Sequence, residues 1–254
     1  MLSHHHRCIF VHIPKNGGTS IESIVWPDHE AYTTENLWSA SVPDPSNRYH
    51  SDGLQHLCAK DIKLEVGPSV FRDYFKFSMV RNPWDKAVSQ YLFFFRRPDL
   101  RDYLGASRGT SFKQYLRLCG QKPHVHWQPQ YLFLTDANGE EIVDYVGRFE
   151  DYEASVREIV DRINASHNAE VPRLSLEEIP HINAGNRAAY WNYYDDEARD
   201  LVAELYREDI SRYGYRFDGM AYRQRERQMK FPVDRRPSSA YLYSGLSYLR
   251  RKLF

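Results

Sequence analysis

The segment from Cys8 to Trp26 constrains the fold of this chain more than any other. Cys8-Ile9-Phe10-Val11 is a short apolar, β-rich run halted by Pro14, which predicts a buried strand. Gly17-Gly18 predicts a tight turn, and Ser20 to Trp26 a short helix ended by Pro27. A strand, a glycine turn and a helix in that order aim backbone N–H groups at an anion. Lys15 adds a point charge, Thr19 and Ser20 add hydroxyls, and the glycines allow close backbone approach. Taken alone, the segment says only that an anion binds at a helix start, and a plain β–α turn is its bland alternative. It is not the common G-x-x-x-x-G-K-[ST] loop, because the lysine precedes the glycines.

The same alternation recurs downstream. Phe75 to Val80 predicts a second buried strand. Asn82 is a good N-cap, Pro83 suits a first helical position, and the helix runs from Trp84 to about Phe95. Its aromatic end, Tyr91-Leu92-Phe93-Phe94-Phe95, reads as core-facing. His56 to Glu65 and Ser111 to Leu118 are expected to be helical, the first stopping at Gly67-Pro68. Ile142 to Phe149 predicts a third strand. Asp151 to Asn164 is an amphipathic helix with Val156, Ile159, Val160 and Ile163 on one face. Asp195 to Tyr213 reads as one helix, capped by Asp195 or Asp196 and stopped by Gly214. Residues 28–55 read as irregular, and His4-His5-His6 as a frayed start. Strands alternating with helices imply a mainly parallel sheet flanked by helices, with ligands at the C-terminal strand ends. The expected division is one domain over 1–219 and an Arg- and Tyr-rich helical or extended tail over 220–254.

Composition narrows the partners. The 34 basic and 34 acidic residues cancel, so no global field draws nucleic acid or an anionic membrane. Any anion site is built locally. Three cysteines (Cys8, Cys58, Cys119) fit neither a zinc pattern nor a disulfide framework and read as reduced thiols. No metal-ligand set is read. No apolar run reaches the length of a membrane span, and no signal segment opens the chain. These features fit a soluble, cytoplasmic protein.

A second chemical element is Val80-Arg81-Asn82-Pro83-Trp84-Asp85-Lys86-Ala87-Val88-Ser89. Arg81 closes a strand and offers a forked phosphate contact; Ser89 lies about two helical turns on and offers a hydroxyl. A surface ion pair and a helix filler are equally good readings of these two alone. Together, H-I-P-K-N-G-G-T-S and F-S-M-V-R-N-P-W-D-K-A-V-S-Q-Y resemble the two elements with which the sulfotransferase superfamily binds 3′-phosphoadenosine 5′-phosphosulfate (PAPS). The closer likeness is to the carbohydrate branch with bacterial members and uronosyl 2-O-sulfotransferases. His56-Leu57-Cys58-Ala59-Lys60, Trp127-Gln128, Val146-Gly147-Arg148-Phe149-Glu150 and Asp209 to Phe217 extend the similarity over roughly residues 8 to 217. Asn16 stands where Thr is usual and Lys86 where Arg is usual.

The resemblance implies a P-loop-like three-layer fold and sulfuryl transfer from PAPS to a hydroxyl of a carbohydrate or glycolipid, leaving 3′-phosphoadenosine 5′-phosphate. It implies that Lys15, Asn16, Gly17, Gly18, Thr19 and Ser20 hold the 5′-phosphosulfate, and that Arg81 and Ser89 hold the 3′-phosphate. Lys15 would also neutralise the leaving oxygen, and a histidine would act as base. His56 is the first candidate and His50 the second; His12, at the end of the first strand, would instead orient the loop, and His124 and His126, which flank Trp127, would line the acceptor cleft. Arg187, in the polar loop 183–187, either contacts the 3′-phosphate or adenine or simply leads a helix. Tyr190, Trp191, Tyr193 and Tyr194 read as core packing. Glu150 is either an acceptor-orienting carboxylate or a structural partner. A bacterial cytoplasmic enzyme fits, or a Golgi one in a eukaryote with its anchor missing. The alternatives are a P-loop-type kinase using ATP and magnesium, and a non-catalytic nucleotide- or glycan-binding protein on the same scaffold.

Overall fold

The computed structural model describes residues 1–27, 33–38, 53–165, 173–176, 179 and 188–218. His50, Arg187 and the expected tail over 220–254 lie outside the described residues.

Four strands form one sheet in the order β1 (Leu2–Ser3), β2 (Cys8–Val11), β3 (Phe75–Val80), β4 (Tyr145–Arg148). The three inner pairings differ in sense: β1 runs antiparallel to β2, while β2–β3 and β3–β4 are parallel. The N-terminus is therefore not frayed. Arg7 takes a left-handed turn at φ 47 that returns the chain, so Leu2 pairs with Ile9 and His6 is buried.

Alternation along the strands sends side chains to two separate cores. Ile9, Val11 and Val80 face α2 (Ala59–Asp73), α3 (Pro83–Phe94), α5 (Phe112–Gln121) and α8 (Asp196–Leu205). Cys8, Phe10, Phe77 and Met79 face α1 (Gly18–Val25) and α7 (Tyr152–Ala165). The result is the expected α/β arrangement of a mainly parallel sheet between two helical layers. Gly147 on β4 has no room for a side chain, since a Cβ there would stand 2.5 Å from Met79 Sδ.

Several elements depart from the sequence reading. The helix expected from His56 begins at Ala59 and runs on to Asp73. Gly67 kinks it at φ 81, and Pro68 opens the second segment, where its missing N–H costs nothing. His56 itself ends a 3₁₀ turn, Leu54–His56. The last predicted helix is two, α8 and α9 (Arg207–Tyr213), because Tyr206 leaves helical geometry at φ −121, ψ 29. Two short helices, α4 (Pro98–Leu104) and α6 (Tyr131–Leu134), were not expected. The aromatic cluster at Tyr190–Tyr194 packs as core: Trp191 is buried, and the Tyr194 hydroxyl donates to Trp84 O at 2.8 Å.

Candidate active site

The site is built at the C-terminal ends of β2 and β3. After Val11 the chain passes through His12 and Pro14 into a loop with two left-handed residues, Lys15 at φ 69 and Gly17 at φ 83. A lysine in that region carries backbone strain of order 1–3 kcal/mol and persists only where neighbours hold it. Arg81 is one such neighbour: its Nη1 donates to the Lys15 carbonyl at 2.9 Å. Tyr152 is another on the far side of the loop, its hydroxyl donating to Gly17 O at 3.0 Å.

The glycines are needed for packing as much as for access. A Cβ on Gly17 would stand 2.7 Å from Tyr152 Cε2, and one on Gly18 would stand 2.0 Å from His12 Nε2. α1 then starts at Gly18 with Gly17 as a cap that has no side-chain hydrogen bond. Ser20 N–H donates back to Gly17 O at 3.2 Å, which leaves the N–H groups of Gly18 and Thr19 to an external acceptor or to solvent.

The loop side chains divide into two sets. Thr19 is exposed and Lys15 half-buried, with its Nζ 4.3 Å above the centre of the Phe93 ring. Asn16 and Ser20 are turned inward. The Asn16 amide donates to Met79 O at 2.7 Å and to Gln130 Oε1 at 2.8 Å. Ser20 shares a hydrogen bond with the Tyr152 hydroxyl. Any contact these two make to a loop ligand therefore comes from backbone.

Arg81 also differs from its simplest reading. The residue is only 6% exposed. It pairs with Asp85 at 2.6 Å and lies 3.9 Å over Phe149 as well as holding Lys15 O. The second element is thus clamped directly against the first. Asn82 caps α3 as expected, accepting from Trp84 N at 3.0 Å. Glu150 accepts from Asn82 N at 2.6 Å and from the Tyr215 hydroxyl at 3.1 Å, which gives it a structural task. Ser89 is half-buried on α3, two turns beyond.

A row of imidazoles runs beside the loop. His12 stacks on Phe10, with ring centres 5.1 Å apart, and its Nδ1 lies 2.8 Å from Glu22 Oε1. Burial alone would raise the Glu22 carboxyl, but the charge and hydrogen bond of His12 outweigh it, so Glu22 stays below its ordinary range. His56 stands edge-on to His12 at 4.7 Å, and His126 edge-on to His56 at 5.5 Å. His126 stacks on Phe93, the ring that carries Lys15. His56 Nδ1 is 3.1 Å from His12 O. A carbonyl only accepts, so Nδ1 is the protonated nitrogen and Nε2 is the basic one in neutral His56. His124 stacks on Trp127 farther along.

Residues that local patterns did not flag hold this arrangement together. Phe93, from the aromatic stretch that reads as core-facing, and Phe149, at the end of the third strand segment, each lie under a cation of the site. Gln130, two residues beyond the Trp127-Gln128 pair, joins both loops through its side chain. Asp209 on α9, fully buried, accepts from Gln130 N and Tyr131 N, both at 2.8 Å. Burial raises its carboxyl, though those two N–H groups and nearby Lys86 oppose the shift. Gln130 sits between Pro129 and the run Tyr131-Leu132-Phe133-Leu134, a pattern that does not say what the residue contacts.

Two strand–turn–helix units, with their loops clamped side by side above a mainly parallel sheet, define a P-loop-like α/β protein. The model of the sulfotransferase family matches residues 1–216, and the chain belongs to that family. Sulfuryl transfer is accordingly its general activity. A protein of Archaeoglobus fulgidus, described as uncharacterized, is 29% identical over 112 residues, covering 43% of this chain and 84% of the relative. No solved structure matches. Among the described residues no helix is long and apolar enough to cross a membrane.

Proposed function

We propose that the chain moves a sulfuryl group from PAPS to a hydroxyl of a carbohydrate or glycolipid, with His56 as general base. The observation that supports this reading is the Arg81 to Lys15 clamp, which sets the two elements side by side at adjacent strand ends. The donor set suits a ligand with two separated anionic groups. One is met by Lys15, Thr19 and the uncapped start of α1; the other by Arg81 and Ser89.

PAPS supplies the activated sulfuryl group. The residues of the chain do the rest. Lys15 neutralises the negative charge left on the bridging oxygen when its bond to sulfur breaks. His56 Nε2 takes the proton of the acceptor hydroxyl as that oxygen bonds to sulfur; the His12 carbonyl holds the required tautomer. Phe93 fixes Lys15 over its face while His126, stacked on the same ring, stands against His56. Lysine and base thus share one aromatic wall. A cytoplasmic location belongs to the same proposal.

The test is binding of 3′-phosphoadenosine 5′-phosphate. At a hundredfold excess over its Kd the ligand should stabilise the fold by about 2.7 kcal/mol, read as a rise in Tm. Lys15→Ala should abolish transfer to a panel of glycan acceptors while keeping the parent melting profile without ligand. No shift at saturating nucleotide would refute the reading. Binding without turnover on any acceptor would favour a non-catalytic protein.

A further inference from the structure

The two loops of the site are far apart in sequence, and one buried side chain from a third place joins them. Gln130 is 0% exposed. Its Oε1 accepts from Asn16 Nδ2 at 2.8 Å and from Arg81 N at 2.9 Å. Its Nε2 donates to Arg81 O at 2.8 Å and also meets Asp209. Both lone pairs and both protons of the amide are therefore in use. Its partners Asn16 and Arg81 lie 114 and 49 residues away along the chain.

The amide is well placed to set geometry rather than to bind. It holds Asn16, the residue between the two left-handed positions Lys15 and Gly17, and it holds both backbone groups of Arg81. The strand ladder offers no substitute at this level. The β2–β3 register ends at Val11 and Ser78, short of both loops. Beyond it, the loops are linked by Arg81 Nη1 on Lys15 O, by Asn16 on Met79 O, and by Gln130. The amide is itself fixed, because Asp209 accepts from its backbone N–H and Lys86 lies within electrostatic reach of Asp209.

We propose that Gln130 is a positioning residue of the nucleotide site: it sets the spacing between the loop at Lys15 and the second element at Arg81. The inference rests on reading those elements as the 5′-phosphosulfate and 3′-phosphate subsites. A clamp on the spacing has a specific consequence. It governs how well one ligand engages both subsites at once, and matters less to a ligand that uses only one.

The experiment compares two probes, 3′-phosphoadenosine 5′-phosphate and adenosine 5′-phosphate, by calorimetric titration of the full chain and of Gln130→Ala. The parent should prefer the doubly phosphorylated probe. In Gln130→Ala that preference should fall by about tenfold, the worth of one to two net hydrogen bonds, while affinity for adenosine 5′-phosphate changes much less. Asn16→Ala, which removes the loop end of the clamp together with the Asn16 bond to Met79 O, should move the ratio the same way and serves if Gln130→Ala does not fold. An unchanged ratio in a folded variant, with only Tm lowered, overturns the inference and leaves Gln130 a core residue. No preference in the parent instead overturns the assignment of the two subsites.

Discussion

Replacing Gly18 by alanine is the sharpest test of the site's construction, because local and tertiary reasoning predict opposite signs. Gly18 is the first residue of α1 and its φ lies outside the left-handed region. On propensity alone an alanine there should stabilise the helix by about 0.4–1 kcal/mol. The structure says otherwise. The new Cβ would stand 2.0, 2.3 and 2.6 Å from Nε2, Cδ2 and Cε1 of His12. The ring has nowhere to go: Phe10 stacks on it, His56 stands at its edge, and Glu22 lies 2.8 Å from Nδ1. Either α1 shifts or the His12–Glu22 contact breaks. Overpacking of this kind costs about 1–3 kcal/mol, which exceeds the propensity gain. Adding part of the lost ion pair gives a net loss of about 2 kcal/mol, or a Tm fall of roughly 4–8 °C for a domain of this size. Differential scanning calorimetry reads this directly. Gly109→Ala is the control, since its Cβ would meet only Ser107 Oγ at 3.7 Å and should leave stability within about 0.5 kcal/mol. In a double-mutant cycle with His12→Ala, the Gly18 penalty should shrink by about 1 kcal/mol or more. A Gly18→Ala protein as stable as the parent would refute the argument.

Other predictions concern titration and catalysis. Burial lowers the Lys86 ammonium from 10.5 to about 8, against the opposing pull of Asp209. The unfolded chain then holds more protons between those values, so stability should rise with pH across that window, by roughly 3 kcal/mol in all. Lys86→Met should flatten that slope in urea midpoints measured from pH 7.5 upward, and a parent-minus-variant difference that does not vary with pH would count against it. His56→Ala should slow transfer by about 10²–10⁴-fold while nucleotide Kd changes by no more than about twofold. Transfer at the parent rate in that variant would move the base to another group.

Local features were readable wherever the cause is local. The β2 run, the Asn82-Pro83 cap and the Gly214 stop all depend on residues within a turn of one another, and each is found where the pattern put it. The amphipathic stripe of α7 is buried as its spacing required. Even errors of extent have local causes, as at Gly67, whose positive φ permits a kinked continuation into Pro68 instead of a stop. The family resemblance at Lys15 and Arg81 was legible because the motifs are contiguous.

What those residues do to one another was settled by contacts between distant parts of the chain. The loop sequence lists Asn16 and Ser20 beside Lys15 and Thr19 as equivalent polar groups. Only packing against Met79, Gln130 and Tyr152 turns the first two inward and leaves the others facing out. Arg81 ends a strand in either description, but its burial between Asp85, Phe149 and Lys15 O requires three separate elements. His56 gains a defined tautomer from the carbonyl of His12, 44 residues away. Periodicity records neighbours three or four positions apart, so it carries no trace of such pairs. The sequence alone therefore determined that a strand, a glycine turn and a helix open this domain and that a second strand–helix unit follows it. The tertiary structure decided which of its side chains face outward and which buried amide, Gln130, sits between the two, because those choices depend on long-range burial of polar groups that must each find a partner.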